Sequence, residues 1–222
     1  MSTKITDSYF EYGTLKYFRG NAHMLQIGSY GEKKDPVGAK SHIDPQDKVN
    51  GKFLAGRVIK GGSISIDWSQ ATKTIFEING FLKFFGKDGK LETNGSYEKV
   101  KSAKLKLFNF YMDETPLKIM LNGDAGSARA FMAKEGNDAR IVSEIWVAME
   151  AELAEEFDNV TSGGLSITGD DFGVQIKVSH GKSGSTSISL SPGTTFAYKN
   201  HKVKNWTDHK TKIDNLEADY HT

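Results

Sequence analysis

The sequence predicts an α+β domain with a twisted, mostly antiparallel central sheet flanked by helices. Several segments alternate apolar and polar residues with the period of two that is typical of half-buried strands, and a few others are rich in helix-forming residues. The chain has 222 residues, of which 37% are hydrophobic and 26% are charged, as is ordinary for a soluble globular protein. We therefore expect one domain over residues 1–203, followed by a short tail over residues 204–222.

The composition excludes several classes of function. A formal net charge of +1 does not support a nucleic-acid-binding protein. The absence of cysteine excludes disulfides, thiolate metal ligands and a cysteine nucleophile. Because the chain has no run of about eighteen apolar residues and no signal-peptide pattern, we expect a soluble protein that stays in the cytoplasm.

The N-terminal segment "SYFEYGTLKYFRGN" predicts a short basic amphipathic helix. On such a helix Phe10, Leu15 and Phe18 lie near one another, with Lys16 and Arg19 beside them. The following "HMLQIGSY" predicts a strand. Residues 31–52 are rich in Lys, Asp, Gly and Pro and predict a loop.

Two alternating segments predict strands in the middle of the chain. In "GRVIKGGSISIDW", Ile64, Ile66 and Trp68 share one face, and in "VKSAKLKLFNFY", Leu105 and Leu107 alternate with lysines. Between them, "GKDGKLE" contains an Asp-Gly turn signal. A helical stretch is predicted within residues 114–136.

The segment "ARIVSEIWVAMEAELAEEF" supports two predictions. Its apolar residues, Ile145 and Val147 among them, keep one parity through residue 153 and predict a long strand, whereas the helix formers of residues 148–157 predict a helix. "GVQIKVS" predicts a strand with Val174, Ile176 and Val178 on one face. "SISLSPGTTFAYK" predicts two further strand segments separated by a Ser-Pro-Gly-Thr turn.

The tail changes period. Trp206, Ile213, Leu216 and Tyr220 are spaced by seven, three and four residues, which predicts the apolar stripe of a helix. We expect this stripe to dock on the domain.

The sequence predicts no enzyme, no metal and no cofactor. There is no His-Glu-x-x-His motif, and lone histidines such as His180 and His201 are expected to be exposed or structurally satisfied. "SHGKSGST" contains Gly-Lys-Ser, but a phosphate-binding loop needs glycine where Ile176 stands, so a polar hairpin turn is expected. The acidic run over residues 150–158 predicts a solvated face.

Long segments of the chain resemble the pore-forming domain of the gasdermin family. "ARIVSEIWVAMEAEL" and "LSITGDDFGVQIKVSHGKSGSTSISLSPGTTFAYKNHKV" are similar to its last part, with Ile141–Ile145 and Ser189–Tyr198 matching two of its strand patterns. "YFEYGTLKYFRGNAHMLQI" resembles its first helix running into its first strand. The resemblance covers about residues 9–203. The chain departs from bacterial members in having no N-terminal cysteine, and from animal members in having no large C-terminal inhibitory domain.

The resemblance implies a cytoplasmic protein that moves to the cell membrane after activation, oligomerises there into a large β-barrel pore and causes cell death, in anti-phage or allorecognition defence. It implies anionic membrane lipids, further copies of the chain and an activating protease as partners. First lipid contact is expected at Phe10, Leu15, Lys16, Phe18 and Arg19. The residues expected to insert are Ile64, Ile66, Trp68, Leu105, Leu107, Ile145, Val147, Val174, Ile176 and Val178, in two pairs of strands.

The tail is expected to be an inhibitory latch of a few kcal/mol, because burial of each large apolar side chain contributes roughly 1.5 to 3 kcal/mol. Its stripe is Trp206, Ile213, Leu216 and Tyr220. Trypsin-like cleavage is expected at Lys202, Lys204, Lys210 or Lys212. Two other classes of function stay open: a soluble β-rich structural or assembly protein without membrane activity, and a small-molecule hydrolase or lipid carrier.

Overall fold

A computed structural model describes residues 3–37, 40–66, 83–92, 104–179 and 184–221. The chain forms an α+β domain with a large, mostly antiparallel twisted sheet and a few helices, as the sequence predicts. No helix within these ranges is both long and apolar enough to cross a membrane.

The described residues contain fifteen strands and four α-helices. The strands are β1 Thr3–Ile5, β2 Tyr9–Tyr12, β3 Leu15–Phe18, β4 Ser29–Lys34, β5 His42–Lys48, β6 Ile59–Ser65, β7 Phe84–Phe85, β8 Leu91–Glu92, β9 Lys106–Tyr111, β10 Ala139–Met149, β11 Leu165–Gly169, β12 Val174–Ser179, β13 Ser185–Leu190, β14 Thr195–Thr207 and β15 Lys212–Asp219. The helices are α1 Gly51–Leu54, α2 Glu114–Asn122, α3 Gly126–Glu135 and α4 Ala151–Asn159.

Strand β10 is the centre of the large sheet. It pairs with β14 along one edge, and with β4 and β9 along the other. All eleven of its residues are buried. Its Ile145 and Val147 belong to the main core, whereas Trp146 belongs to a second cluster with Phe10 and Tyr17 of the N-terminal strands. Successive residues of a strand point to opposite faces, so the two clusters cover the two faces of β10.

The second sheet consists of β11, β12 and β13. Val174, Ile176 and Val178 are buried, as the alternation in β12 predicts. The β11–β12 turn lies directly against the start of α1: a Cβ added at Gly51 would lie 2.0 Å from the carbonyl oxygen of Gly173. A glycine at position 51 therefore allows this close approach of two backbones.

Several predicted elements are confirmed. Strands β6, β9 and β12 lie where the alternation predicts them, β13 and β14 are separated at residues 191–194, and α2 and α3 occupy the predicted helical stretch. The Asp-Gly turn joins β7 to β8, with Gly89 at φ 76°. In the ambiguous segment both predictions are partly right, because β10 ends at Met149 and α4 begins at Ala151.

Four other predictions are wrong. Residues 9–18 form the β2–β3 hairpin and not a helix, with Gly13 in the left-handed region at its turn. The predicted strand over residues 23–30 is a 3₁₀ turn, Ala22–Met24, followed by the start of β4. Residues 31–52 contain most of β4, all of β5 and the first residues of α1, and not a loop. The tail is strand β15, which pairs with β14 as far as Asp219.

Candidate functional site

The tail forms an edge strand of the central sheet. Strand β14 runs past residue 203 to Thr207, and β15 returns along it with Val203 opposite Leu216 and Trp206 opposite Ile213. Ile213 and Leu216 are buried, and Trp206 packs half-buried against the main core. The apolar residues of the predicted stripe contact the rest of the domain, but they do so as part of a strand and not of a helix.

Helix α2 contacts the beginning of β15 mainly through the side-chain amide of Asn122. Asn122 Nδ2 donates to the carbonyl oxygen of Ile213 at 2.9 Å, and Asn122 Oδ1 accepts from the Ile213 N–H at 2.8 Å. Lys118 Nζ donates to the carbonyl oxygen of Asp214 at 2.9 Å. The amide of Asn122 therefore bonds both backbone groups of Ile213, as a neighbouring strand would.

The other end of β15 is held by charged and aromatic groups. Asp219 accepts from Arg140 Nε of β10 at 2.5 Å, and Lys33 Nζ of β4 lies 3.5 Å away. Both Arg140 and Asp219 are largely buried, so this pair is poorly screened by solvent. The ring of Tyr220 lies edge-on to Tyr17 of β3, with ring centroids 5.8 Å apart. The tail thus ties together α2, β14, β10, β4 and the N-terminal hairpin.

A buried polar cluster interrupts the seam between β10 and β14. Ser143 is the extra residue of a β-bulge in β10, and its hydroxyl lies 2.8 Å from Nδ1 of His201 on β14. Burial, with a smaller contribution from the charge of Lys199, lowers the pKa of His201 to about 4. The imidazole is therefore neutral at physiological pH, as expected for a structurally satisfied histidine. Because Ser143 is fully buried, this Ser-His pair is inaccessible to a substrate.

The adjoining Glu144 carries a buried ion pair. Its carboxylate lies 2.5 Å from Lys199 Nζ and accepts a hydrogen bond from Asn109 Nδ2 at 3.0 Å. Burial, reinforced by the charge of Glu144, raises the pKa of Tyr17 well above its usual range. The cluster links β9, β10 and β14 to the N-terminal hairpin, so separation of these strands must break several charged or polar contacts at once.

Most of the residues predicted to contact lipid are not on the surface. Phe10 and Phe18 are fully buried, and Arg19 is 5% exposed. The guanidinium of Arg19 donates to the carbonyl of Thr6 and lies over the ring of Phe196, while burial lowers its pKa to about 10. Leu15 is 38% exposed and Lys16 is half-buried.

The residues predicted to insert into a membrane mostly line the core. Strands β6 and β9, which carry the first predicted pair of inserting segments, are antiparallel neighbours. The second pair lies in two different sheets, because β12 pairs with β11 and β13, whereas β10 belongs to the large sheet. Ile64 and Ile66 are half-buried, and Trp68 lies outside the described residues. The remaining predicted residues are all buried: Leu105, Leu107, Ile145, Val147, Val174, Ile176 and Val178.

The acidic run after β10 is partly bound and not simply solvated. Asp158 accepts hydrogen bonds from the Ser63 backbone N–H at 3.0 Å and from its hydroxyl. Glu155 pairs with Lys106 at 3.0 Å, and Lys60 Nζ donates to the carbonyl oxygen of Phe157 at the end of α4. Helix α4 therefore packs against both β6 and β9. The spacing of these residues along the chain offers no signal for this contact.

The predicted cleavage sites differ in accessibility. Lys204 and Lys212 are exposed but lie in the paired strands β14 and β15, and Lys202 forms an ion pair with Glu217. Lys210 is exposed in the turn between the strands. Proteases bind extended, unpaired chain, so the turn is the best-placed site of the four.

Within the described ranges, no group of three or more His, Asp or Glu side chains is placed to hold a metal ion. The predicted hairpin turn at residues 180–183, which includes His180, lies outside those ranges. No protein-family model, curated protein or solved structure matches this chain.

Proposed function

We propose that this chain is a membrane pore-forming protein that oligomerises into a large β-barrel after activation and causes cell death in defence. The observation that carries the proposal is the antiparallel pairing of β6 with β9, two strands that alternate in sequence and already lie side by side. The resemblance of the quoted segments to the gasdermin pore-forming domain supports the same function.

Refolding of the β6–β9 pair would supply a membrane-spanning hairpin. A strand needs roughly 9 to 11 residues to cross a bilayer, and the alternating segments over residues 58–70 and 100–112 are long enough. In a closed barrel the apolar residues face lipid, the polar residues face the lumen and every backbone group is paired.

Helix α4 must first separate from β6 and β9. Its contacts there include the Lys60 bonds to the end of the helix and the Lys106–Glu155 ion pair. Partly exposed ion pairs of this kind contribute about 1 kcal/mol or less. The apolar anchor of α4 is Phe157, which packs edge-on against Phe108 and Phe110 of β9, and we expect its removal from the core to be the larger barrier.

The tail would act as the latch. A protease would cut the Asp208–Lys210 turn, but the cut alone leaves β15 paired with β14 and hydrogen-bonded to Asn122. Release of the cut strand then exposes an edge of β14 to a neighbouring copy. The protein would be cytoplasmic before activation and at the cell membrane after it.

First contact with anionic lipids would involve Leu15 and Lys16, the two residues of the predicted set that reach the surface. An exposed apolar residue beside a basic one is suited to the headgroup region of an anionic membrane. Phe10, Phe18 and Arg19 would take part only after the hairpin has opened.

The test is a dye-release assay with vesicles of phosphatidylglycerol and phosphatidylcholine. A site-specific protease sequence is placed in the turn between β14 and β15, and a scrambled sequence of equal length is the control. The cut protein is stripped of the tail peptide by gel filtration in mild denaturant before vesicles are added. We expect leakage only from the stripped protein. Its failure to permeabilise either anionic or neutral vesicles would refute the proposal.

A second candidate is a soluble β-rich assembly protein, which the burial of the seven core-lining strand residues and of the tail favours. This candidate requires stable oligomers in solution without lipid. Sedimentation velocity of the stripped protein, which lacks β15, with and without vesicles distinguishes the two, because only the pore former should assemble on vesicles and stay dispersed without them.

A further inference from the structure

The turn between β14 and β15 has an unfavourable backbone conformation. Its two consecutive residues His209 and Lys210 have φ of 53° and 67°, in the left-handed region. Histidine, like Asn and Asp, is enriched in this region, but lysine is not, so the strain falls chiefly on Lys210. The turn therefore stores strain that an extended linker would release.

Strand β15 is attached to the rest of the domain by contacts that do not involve this turn. Seven of its eight residues pair with β14, Asn122 bonds both backbone groups of Ile213, and Arg140 and Lys33 hold Asp219. Beyond Asp219, the His221 N–H donates to the carbonyl oxygen of Lys16 at 2.8 Å. Each of these contacts would be the same if β15 came from another molecule.

We propose that this chain forms a strand-swapped dimer, in which β15 of each copy occupies the β15 position of the other. Opening of residues 208–211 would relieve the left-handed turn and make β14 and β15 one extended strand. The swap keeps every contact of β15 and loses only the strained turn, which is the condition under which domain swapping is readily accessible. This inference is independent of the proposed pore-forming function.

The receiving site selects β15 of a second copy over an unrelated peptide. The Asn122 amide binds the backbone of one residue of the incoming strand. An apolar surface accepts that residue and the one three positions later, and Arg140 with Lys33 binds a carboxylate three positions after that. Ile213, Leu216 and Asp219 of β15 meet these three requirements in register. A second copy carries the same β15, attached to its β14 through residues 208–211.

The first test compares a substitution that disfavours the turn with one that favours it. His209→Pro cannot adopt φ of 53°, so it should disfavour the closed hairpin and lower the dimer dissociation constant by roughly tenfold or more. The matched variant His209→Asn with Lys210→Gly suits the left-handed turn and should raise that constant by a similar factor. Both constants are measured by light scattering after gel filtration over a wide range of protein concentration. Equal constants for all three proteins would overturn the inference.

The second test detects the exchange directly and does not depend on a proline variant that folds. Lys202 and Glu217 are partners across β14 and β15, and the chain has no native cysteine. Chains carrying only Lys202→Cys are mixed with chains carrying only Glu217→Cys, partly unfolded together, refolded and oxidised. A swapped dimer gives a covalent heterodimer of the two chains.

The control mixture pairs Glu217→Cys with Lys87→Cys, an exposed residue in the β7–β8 turn. We expect the Lys202–Glu217 heterodimer to exceed this control at least severalfold. Yields equal to the control, with folded protein confirmed by circular dichroism, would overturn the swap even if a dimer were present.

Discussion

Acidification should destabilise the fold through His201. In the folded protein burial lowers the pKa of this imidazole to about 4, whereas its ordinary value is 6.5. At a pH well above 6.5 the imidazole is neutral in both the folded and unfolded states and contributes no pH dependence. As the pH falls below 6.5, the unfolded chain binds a proton that the folded protein does not accept, so the free energy of unfolding falls until about pH 4.

The expected size follows from the two pKa values. Because one pKa unit corresponds to about 1.4 kcal/mol, the His201 contribution at about pH 5 is a loss of roughly 2 kcal/mol, and it approaches about 3 kcal/mol below pH 4. A loss of 2 kcal/mol is a large part of the stability of a typical domain.

The assay compares urea unfolding of the native chain and His201→Gln at about pH 7.5 and about pH 5. Glutamine can still bond the Ser143 hydroxyl but does not titrate. We expect the native chain to lose roughly 2 kcal/mol more than the variant between these two pH values. If His201→Gln loses as much stability as the native chain on acidification, His201 is not the source of the acid sensitivity.

Three further predictions concern the contacts that hold the sheet and the tail. Glu144→Gln should destabilise the fold by about 3 kcal/mol, the lower end of the range for buried pairs, because Lys199, whose side chain is 14% exposed, loses its counter-charge. Adding Lys199→Met should restore most of that loss, and chemical denaturation of the single and double variants measures it. Asn122→Ala removes two hydrogen bonds to the backbone of β15, and we expect a loss of about 1 to 3 kcal/mol, with faster hydrogen exchange in β15 but not in β12. Gly51→Ala places a Cβ 2.0 Å from a carbonyl oxygen and should lower the melting temperature. The Cβ added by Gly56→Ala has no atom within 4 Å, so this variant should keep the native melting temperature. Similar melting temperatures for the two variants would contradict this account of the α1 contact.

Strands and helices with a strong local pattern could be predicted from the sequence. The alternation in β12 matches its burial, because one face of the strand packs on the core. Strands β6 and β9 also lie where alternation predicts them, but four consecutive residues of β9, Leu107–Phe110, are buried because both faces of that strand are covered. In the segment from residue 139 to 159 the same parity continues past the end of β10, yet Leu153 and Phe157 are buried at helical spacing in α4. Parity alone cannot locate this boundary, because apolar residues four apart satisfy both periods.

The contacts of the candidate site could not be predicted. Asn122 and Ile213 are 91 residues apart in the sequence, and Ser143 and His201 are 58 apart. An asparagine at a helix end or a serine in a strand is common, and nothing in the neighbouring residues indicates the distant partner. The bulge that turns Ser143 towards His201 depends on the pairing of β10 with β14.

Composition and local pattern establish the α+β class, the absence of disulfide and thiolate chemistry, and the positions of strands whose alternation is long and regular. The conformation of the two terminal segments depends instead on tertiary contacts. Residues 9–18 and 212–219 have apolar spacings compatible with a helix, but each pairs with its neighbouring strand or with β14. Helix and strand propensities differ by less than about 1 kcal/mol per residue, so an available strand edge and the core beneath it outweigh the local preference.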